Sequence, residues 1–167
     1  KDTVSVPFGF TEREADGKEQ TMQKWVCALE DGYGMGIATD TRAAYDLKDG
    51  LLRITALRSP AYADHFGVRD SKIEYTDIGV HAFSLAVAPN CGNTADIYKL
   101  SETLLTPLPS ITGTYHKGKL SGEGSILTLS ADNVAVTAFK PAEDGNGYIL
   151  RLHEISGKSA ECSIKIP

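Results

Sequence analysis

Asp49-Gly50-Leu51-Leu52-Arg53-Ile54-Thr55-Ala56-Leu57-Arg58 is the stretch whose reading decides the fold. Asp and Gly both tolerate the positive φ that a two-residue hairpin turn demands, so Asp49-Gly50 predicts a tight reversal. Leu52, Ile54 and Ala56 then fall on one side of a strand over 51–58, the period of two that marks a half-buried sheet. The same pattern recurs on either side. Trp25, Cys27 and Leu29 alternate with Lys24, Val26 and Ala28, Phe83, Leu85 and Val87 form the apolar face of 80–87, and Leu150 and Leu152 alternate with Arg151 and His153. Val134 to Phe139 is apolar at nearly every position, which predicts a strand buried on both sides. Asp144-Gly145-Asn146-Gly147 and Ser156-Gly157-Lys158 read as further turns, giving a three-stranded meander over 133–166. Short strands and turns at this spacing predict an all-β fold, an antiparallel β-sandwich with little helix, and residues 1–167 as one domain. Only Ala95 to Leu104 competes for helix, with Thr94 as its cap and Pro107 and Pro109 stopping it.

Composition narrows the classes of function. With 41% hydrophobic and 23% charged residues, the chain can bury a sizeable core. The formal charge of −5 is spread along the length and no basic run tracks a phosphate backbone, so no nucleic-acid partner is expected. No apolar stretch approaches the roughly twenty residues of a membrane-spanning helix, so no membrane partner is expected either. Cys27, Cys91 and Cys162 are odd in number and far apart, the pattern of buried free thiols rather than of a metal knuckle or a disulfide framework. That favours a reducing compartment, the cytoplasm over the periplasm or the outside. The chain begins without Met and directly in an alternating segment (Val4, Val6, Phe8, Phe10), from which more polypeptide is expected upstream.

The interval 59–79 is poor in turn signals and about twenty residues long, a length at which loops usually carry function. It holds Tyr62, Asp64, His65, Asp70, Glu74, Tyr75 and Asp77, with Arg58 before it and His81 after it. Asp64, His65, Asp77 and His81 have donors suited to zinc, but their spacing matches no ligand motif, and no metal is expected in this chain. Arg58 shares its parity with Leu52, Ile54 and Ala56, which predicts a guanidinium at the edge of the core paired with Asp77, Asp64 or Glu74. His81 shares the face of Phe83, Leu85 and Val87. Two readings stay open: Arg58, Asp77 and His81 as a structural anchor that pins the loop, or as the lining of a ligand site. Tyr62, Asp64 and His65 follow Pro60 into the loop and are expected at a cleft or a seam between domains. No Gly-x-Ser-x-Gly elbow or Ser/His/Asp order supports nucleophilic catalysis. Gly32-Tyr33-Gly34-Met35-Gly36 lacks the Lys-Ser/Thr of a phosphate loop and reads as a turn or β-bulge.

Longer motifs follow one another along the chain. Val6-Pro7-Phe8-Gly9 is followed by Gln23-Lys24-Trp25-Val26, Asp31-Gly32-Tyr33-Gly34-Met35 and Thr39-Asp40-Thr41-Arg42-Ala43-Ala44-Tyr45-Asp46. Leu57-Arg58-Ser59-Pro60-Ala61-Tyr62-Ala63-Asp64-His65 and Asp77-Ile78-Gly79-Val80-His81-Ala82-Phe83 come next, and Asp132-Asn133-Val134, Lys140-Pro141-Ala142-Glu143-Asp144 and Leu150-Arg151-Leu152-His153-Glu154 close the series. In this order they resemble the C-terminal β region of bacterial-type α-mannosidases of glycoside hydrolase family 38. The chain departs from the family's pattern at Cys27-Ala28, Ala43-Ala44, Asp64 and Ile78.

The resemblance implies a supersandwich-like β domain from the C-terminal part of a larger retaining enzyme that hydrolyses terminal α-linked mannose from glycans. Zinc and an Asp nucleophile would belong to a catalytic α/β barrel, followed by a helical domain, both in the same polypeptide but outside this chain. The chain alone is then expected to hold no catalytic residue and no cofactor and to be inactive. Its expected role is to frame the cleft and brace the barrel, with a mannose-containing glycan as the ligand of the intact enzyme. An independent carbohydrate-binding β-sandwich is the alternative, although it would want exposed aromatic platforms, and Trp25 lies inside a strand. A small hydrolase built on the loop cluster is the third reading.

Overall fold

The computed structural model describes residues 1–30, 33–60, 75, 77–89, 91–119 and 121–166. Along the chain run β1 (Asp2–Val6), β2 (Gly9–Arg13), β3 (Gln20–Thr21), β4 (Trp25–Glu30), β5 (Tyr33–Thr39), β6 (Ala44–Lys48), β7 (Leu51–Ile54) and β8 (Leu85–Pro89). After them come α1 (Thr94–Leu105), β9 (Thr128–Leu129), β10 (Val134–Pro141), β11 (Tyr148–Glu154) and β12 (Ile164–Lys165). A five-stranded sheet has the order β2-β1-β4-β5-β8 and a three-stranded sheet the order β3-β6-β7, and two-stranded ribbons join β10 to β11 and β9 to β12. All of these pairs are antiparallel. The fold is the all-β sandwich that the alternation predicts, with one short helix.

Asp49 and Gly50 take φ of 51° and 76°, and Lys48 pairs with Leu51 across them, so the hairpin that opened the reading forms as expected. The five-stranded sheet buries both of its faces. On one face Val4, Val26 and Ile37 meet Met22, Tyr45, Leu52 and Ile54 from the three-stranded sheet. On the other, Trp25, Cys27 and Ala38 meet Cys91 and Ile97, with Ala86 and Ala88 beside them. Strand β4 is therefore apolar at Trp25, Val26 and Cys27 in succession because it is central, not half-exposed.

Helix α1 lies over β5 and β8, and that contact dictates small residues beneath it. Gly34 and Gly36 sit inside β5, and a Cβ at Gly36 would come within 2.7 Å of the Ile97 side chain. Tyr33 to Gly36 thus lie within a strand, with Gly36 beneath the helix, where a turn or bulge was expected from composition, and Gly32 lies outside the described residues. The same requirement reverses the parity expected of β8. Val87 pairs with Ile37 and Ala86 with Ala38, so the alanines face the helix while Leu85 and Val87 are 43% and 54% exposed. The helix starts one residue earlier than expected. Asn93, not Thr94, is its cap, accepting from the N–H groups of Ala95 and Asp96 at 2.9 and 3.1 Å. Thr94 instead donates to the Ile155 carbonyl, tying the helix to the C-terminal region.

Two expectations for that region change. Strand β12 pairs with β9 and not with β11, so the three strands over 133–166 do not form a meander. Among the described residues strand β10 has one partner, with a register shift between Val136 and Ala138, and Val136 and Phe139 remain about two-fifths exposed at 40% and 41% rather than buried on both sides.

Glu154 organises the turn that follows β11. Its Oε1 accepts from the Asn133 amide, the Ser156 N–H and the Ser156 hydroxyl, and its Oε2 from the N–H groups of Gly157 and Lys158. Partial burial alone would raise its pKa. The bonds from Ser156, Asn133 and Gly157 outweigh that effect and hold the carboxyl at about 2, below its ordinary 4.5. A depressed carboxyl adds stability above its unfolded pKa and loses it as the pH falls through its folded pKa. Glu154→Gln is therefore expected to cost about 2 kcal/mol at neutral pH, since it orphans several donors at once. Urea melts of the two proteins should converge between about pH 4.5 and 2, and a gap independent of pH would exclude the ionised network.

Candidate functional site

Arg58, before the loop interval, and Asp77 and His81, at its far end, line one open cavity of about 470 Å³ together with Glu19, Thr41 and Arg42. Strand order brings them there. The segment before β3, the turn from β5 into β6 and the exit of β7 meet at one end of the three-stranded sheet. Arg58 does not sit at the core edge. Strand β7 ends at Ile54, so its parity stops there, and the Arg58 side chain is 64% exposed. Among the described residues its partner is Glu19, a residue outside the loop, and not Asp77, while Asp64 and Glu74, the other expected partners, lie outside the described residues. Glu19 also accepts from the Thr55 hydroxyl at 2.6 Å, so both of its oxygens are engaged.

Asp77 adopts φ of 56°, a left-handed conformation that turns the chain back, and its carbonyl accepts a 2.7 Å hydrogen bond from His81 Nε2. His81 is exposed at the cavity rim and does not share a buried face. Tyr62, Asp64 and His65, with Asp70 and Glu74, lie outside the described residues.

The approach to β6 fixes the other wall. Asp40 accepts from the Ser84 N–H at 2.9 Å and from the Thr41 hydroxyl at 2.9 Å, and the Ser84 bond is the main reason its carboxyl lies below the usual range. Arg42 donates its backbone N–H to Thr39 Oγ1, and its guanidinium lies 4.6 Å over the Phe83 ring. Its Nε is buried without a hydrogen-bond partner among the described residues. Glu19 did not stand out in the sequence and Arg42 did so only within a family-like motif, because what places them here is strand order between distant segments.

Chemically, this wall offers cationic and hydroxyl donors and no activated nucleophile. Cys27 is no substitute, since burial, with the adjacent Cys91 thiol, pushes its pKa well up and keeps it protonated. Cys27 and Cys91 are buried free thiols as expected, while Cys162 is partly exposed. Tyr45 is likewise structural. Burial and the Asp2 carboxylate, to which its hydroxyl donates, raise its pKa. Trp25 is 2% exposed and packs on Phe10, so it offers no platform to a sugar. Among the described residues, no three His, Cys, Asp or Glu side chains come together as a metal site.

Two family models match the chain. The model for the glycosyl hydrolases family 38 C-terminal domain matches residues 1–66, and that for the family 38 C-terminal beta sandwich domain matches residues 133–167, well over half of the chain between them. The chain belongs to the C-terminal region of glycosyl hydrolase family 38. The first model ends just beyond Arg58 and the second begins at Asn133, the residue that binds Glu154. Alpha-mannosidase G of Dictyostelium discoideum is 25% identical over 142 residues, 80% of this chain but 12% of that protein. A solved structure of a glycosyl hydrolase family 38 protein from Enterococcus faecalis shares the fold with a TM-score of 0.77 at 16% identity, covering 99% of this chain and 20% of the other. This family 38 chain thus spans a small part of the length of both relatives.

Proposed function

We propose that the chain is the noncatalytic C-terminal part of a retaining α-mannosidase that removes terminal α-linked mannose from glycans. Its sheets brace a catalytic barrel, and its Arg58–His81 end frames the cleft. The observation that carries this reading is the match of 80% of the chain to 12% of an alpha-mannosidase. The paired carboxylates that a retaining glycosidase needs would come from the barrel, because Glu19 in the cavity is already held by Arg58 and Thr55. Zinc, which the family resemblance assigns to the same barrel, would likewise be held by residues outside this chain. Tyr62, Asp64 and His65 extend toward that cleft in this reading, and Arg58, Asp77 and His81 anchor the segment behind them.

Kinetics and stability of the same variants separate the two roles. Arg58→Ala is expected to cost at most about 1 kcal/mol, because its pair with Glu19 is largely exposed. Tyr62→Phe, Asp64→Asn and His65→Ala should leave the melting temperature of the mannosidase unchanged and lower kcat/KM about tenfold, or about 1.4 kcal/mol, the worth of one hydrogen bond. Unchanged kinetics in all three variants would leave the segment with no place at the cleft.

A further inference from the structure

We infer that Cys27 and Cys91 are a disulfide-forming pair, a modification site that ties strand β4 to the entry of α1. The structure holds both as free thiols. In β4, Cys27 lies across from Gly36 of β5 and Trp25 across from Ala38, so Cys27 shares the helix-facing side of the sheet with these residues. Cys91 follows β8 and returns over that same side. Its N–H donates to the Gly34 carbonyl at 2.8 Å, and its carbonyl oxygen would lie 2.9 Å from a Cβ at Gly34. Because positions 34 and 36 are both glycine, no side chain of β5 stands between the two cysteines there, and their thiols meet in the buried layer that also holds Trp25 and Ile97. Cys162 is partly exposed and lies outside that layer.

Oxidation is the chemistry open to this pair. Among the described residues no third metal-ligating side chain joins them, and the Cys91 thiol donates only a weak bond, to the Asn93 carbonyl at 3.2 Å, so little is lost when its proton leaves. Cys27 stands at one of the positions where the chain departs from the family's pattern, which makes the pair a property of this chain, independent of the mannosidase reading. The oxidant is a small-molecule disulfide such as oxidised glutathione. One cysteine, as thiolate, attacks it, forms a mixed disulfide and releases one glutathione; the second cysteine attacks the sulfur of the first and releases the other. Two protein thiols thereby lose two protons and two electrons, and one oxidised glutathione becomes two reduced ones. Cys27 and Cys91 are 0% and 2% exposed, so the bond closes while the chain folds or when the Cys91 segment opens, and burial then shields it from reductants.

Refolding the reduced, denatured chain in a mixture of reduced and oxidised glutathione tests the pair, with remaining thiols alkylated and the product read by mass and peptide mapping. The expected product has lost two hydrogen atoms, carries its alkyl group on Cys162 and yields a linked Cys27–Cys91 peptide. It should melt roughly 10 °C above the reduced chain, because the bond closes a long loop in the unfolded state. Cys162→Ala should leave the linkage intact, whereas Cys27→Ala should abolish it; the wild-type product decides even if the latter variant does not fold. Alkylation of all three cysteines after refolding would overturn the inference, as would glutathione retained on Cys27 or Cys91, or a linkage to Cys162 in preference. An oxidised chain that melts at or below the reduced one would overturn it too, because the bond would then not fit the folded geometry.

Discussion

Replacing Gly34 by Ala is expected to lower the stability of the chain by about 3 kcal/mol, more than a single added methyl usually does. The Cβ would lie 2.5 Å from the Ala28 carbonyl oxygen and 2.9 Å from that of Cys91, with Leu29 Cδ2 at 2.6 Å. Two of these atoms are backbone. The segment at Cys91 cannot retreat without breaking the 2.8 Å bond from the Cys91 N–H to the Gly34 carbonyl, which holds the approach to α1 against β5. Gly36 is the internal control. Its Cβ would meet only the Ile97 side chain, at 2.7 and 3.0 Å, and a rotamer change there can relieve most of the clash. Gly36→Ala should therefore cost about 1 kcal/mol, at the low end for overpacking. Urea denaturation followed by circular dichroism measures both. Equal midpoints for the two variants would mean that backbone contact at Gly34 does not limit how closely the Cys91 segment approaches β5.

Trp25→Ala should remove about 4 kcal/mol, in the range for a buried aromatic in a packed core. Trp25 is 2% exposed, its ring lies 6.2 Å from that of Phe10, and it belongs to the layer between the five-stranded sheet and α1. Its backbone is held as well. The Ser5 hydroxyl donates to the Trp25 carbonyl at 3.0 Å and accepts from the Trp25 N–H at 2.9 Å, which replaces ladder bonds where the pairing of β1 with β4 ends. Since domains of this size are stable by about 5–15 kcal/mol, the loss should be visible as a large shift of the urea midpoint. A midpoint within error of the wild type would mean that this layer is not the core of the fold.

The sheets were legible in the sequence wherever one face is solvated and a turn has a strict backbone requirement. Asp49-Gly50 is such a case, because few residues accept φ of 51° and 76° in succession. The parity of β8 was misread for a physical reason. In a layer where a helix lies close to a sheet, the buried face is marked by small residues, Ala86 and Ala88 over Ile97, while Leu85 and Val87 look outward. A reading that equates size with burial inverts such a strand. Gly36, beneath Ile97, belongs to the same case, since nothing local distinguishes a docking glycine from a turn glycine.

At the cavity, the sequence pointed to Arg58, Asp77 and His81, which do meet, but not to Glu19, whose approach depends on the order β3-β6-β7 and leaves no trace in the local pattern. Asn133 and Glu154 were visible only as family-like motifs. Their hydrogen bonds show that the recurring residues there build a turn.

If these residues are the noncatalytic end of a mannosidase, the purified chain, supplied with zinc, should release no p-nitrophenol from p-nitrophenyl α-mannoside above the protein-free rate. The longer polypeptide that carries the catalytic barrel should release it with retention of configuration. Turnover by the 167-residue chain alone would contradict this directly, because it would place the reacting carboxylates within these residues.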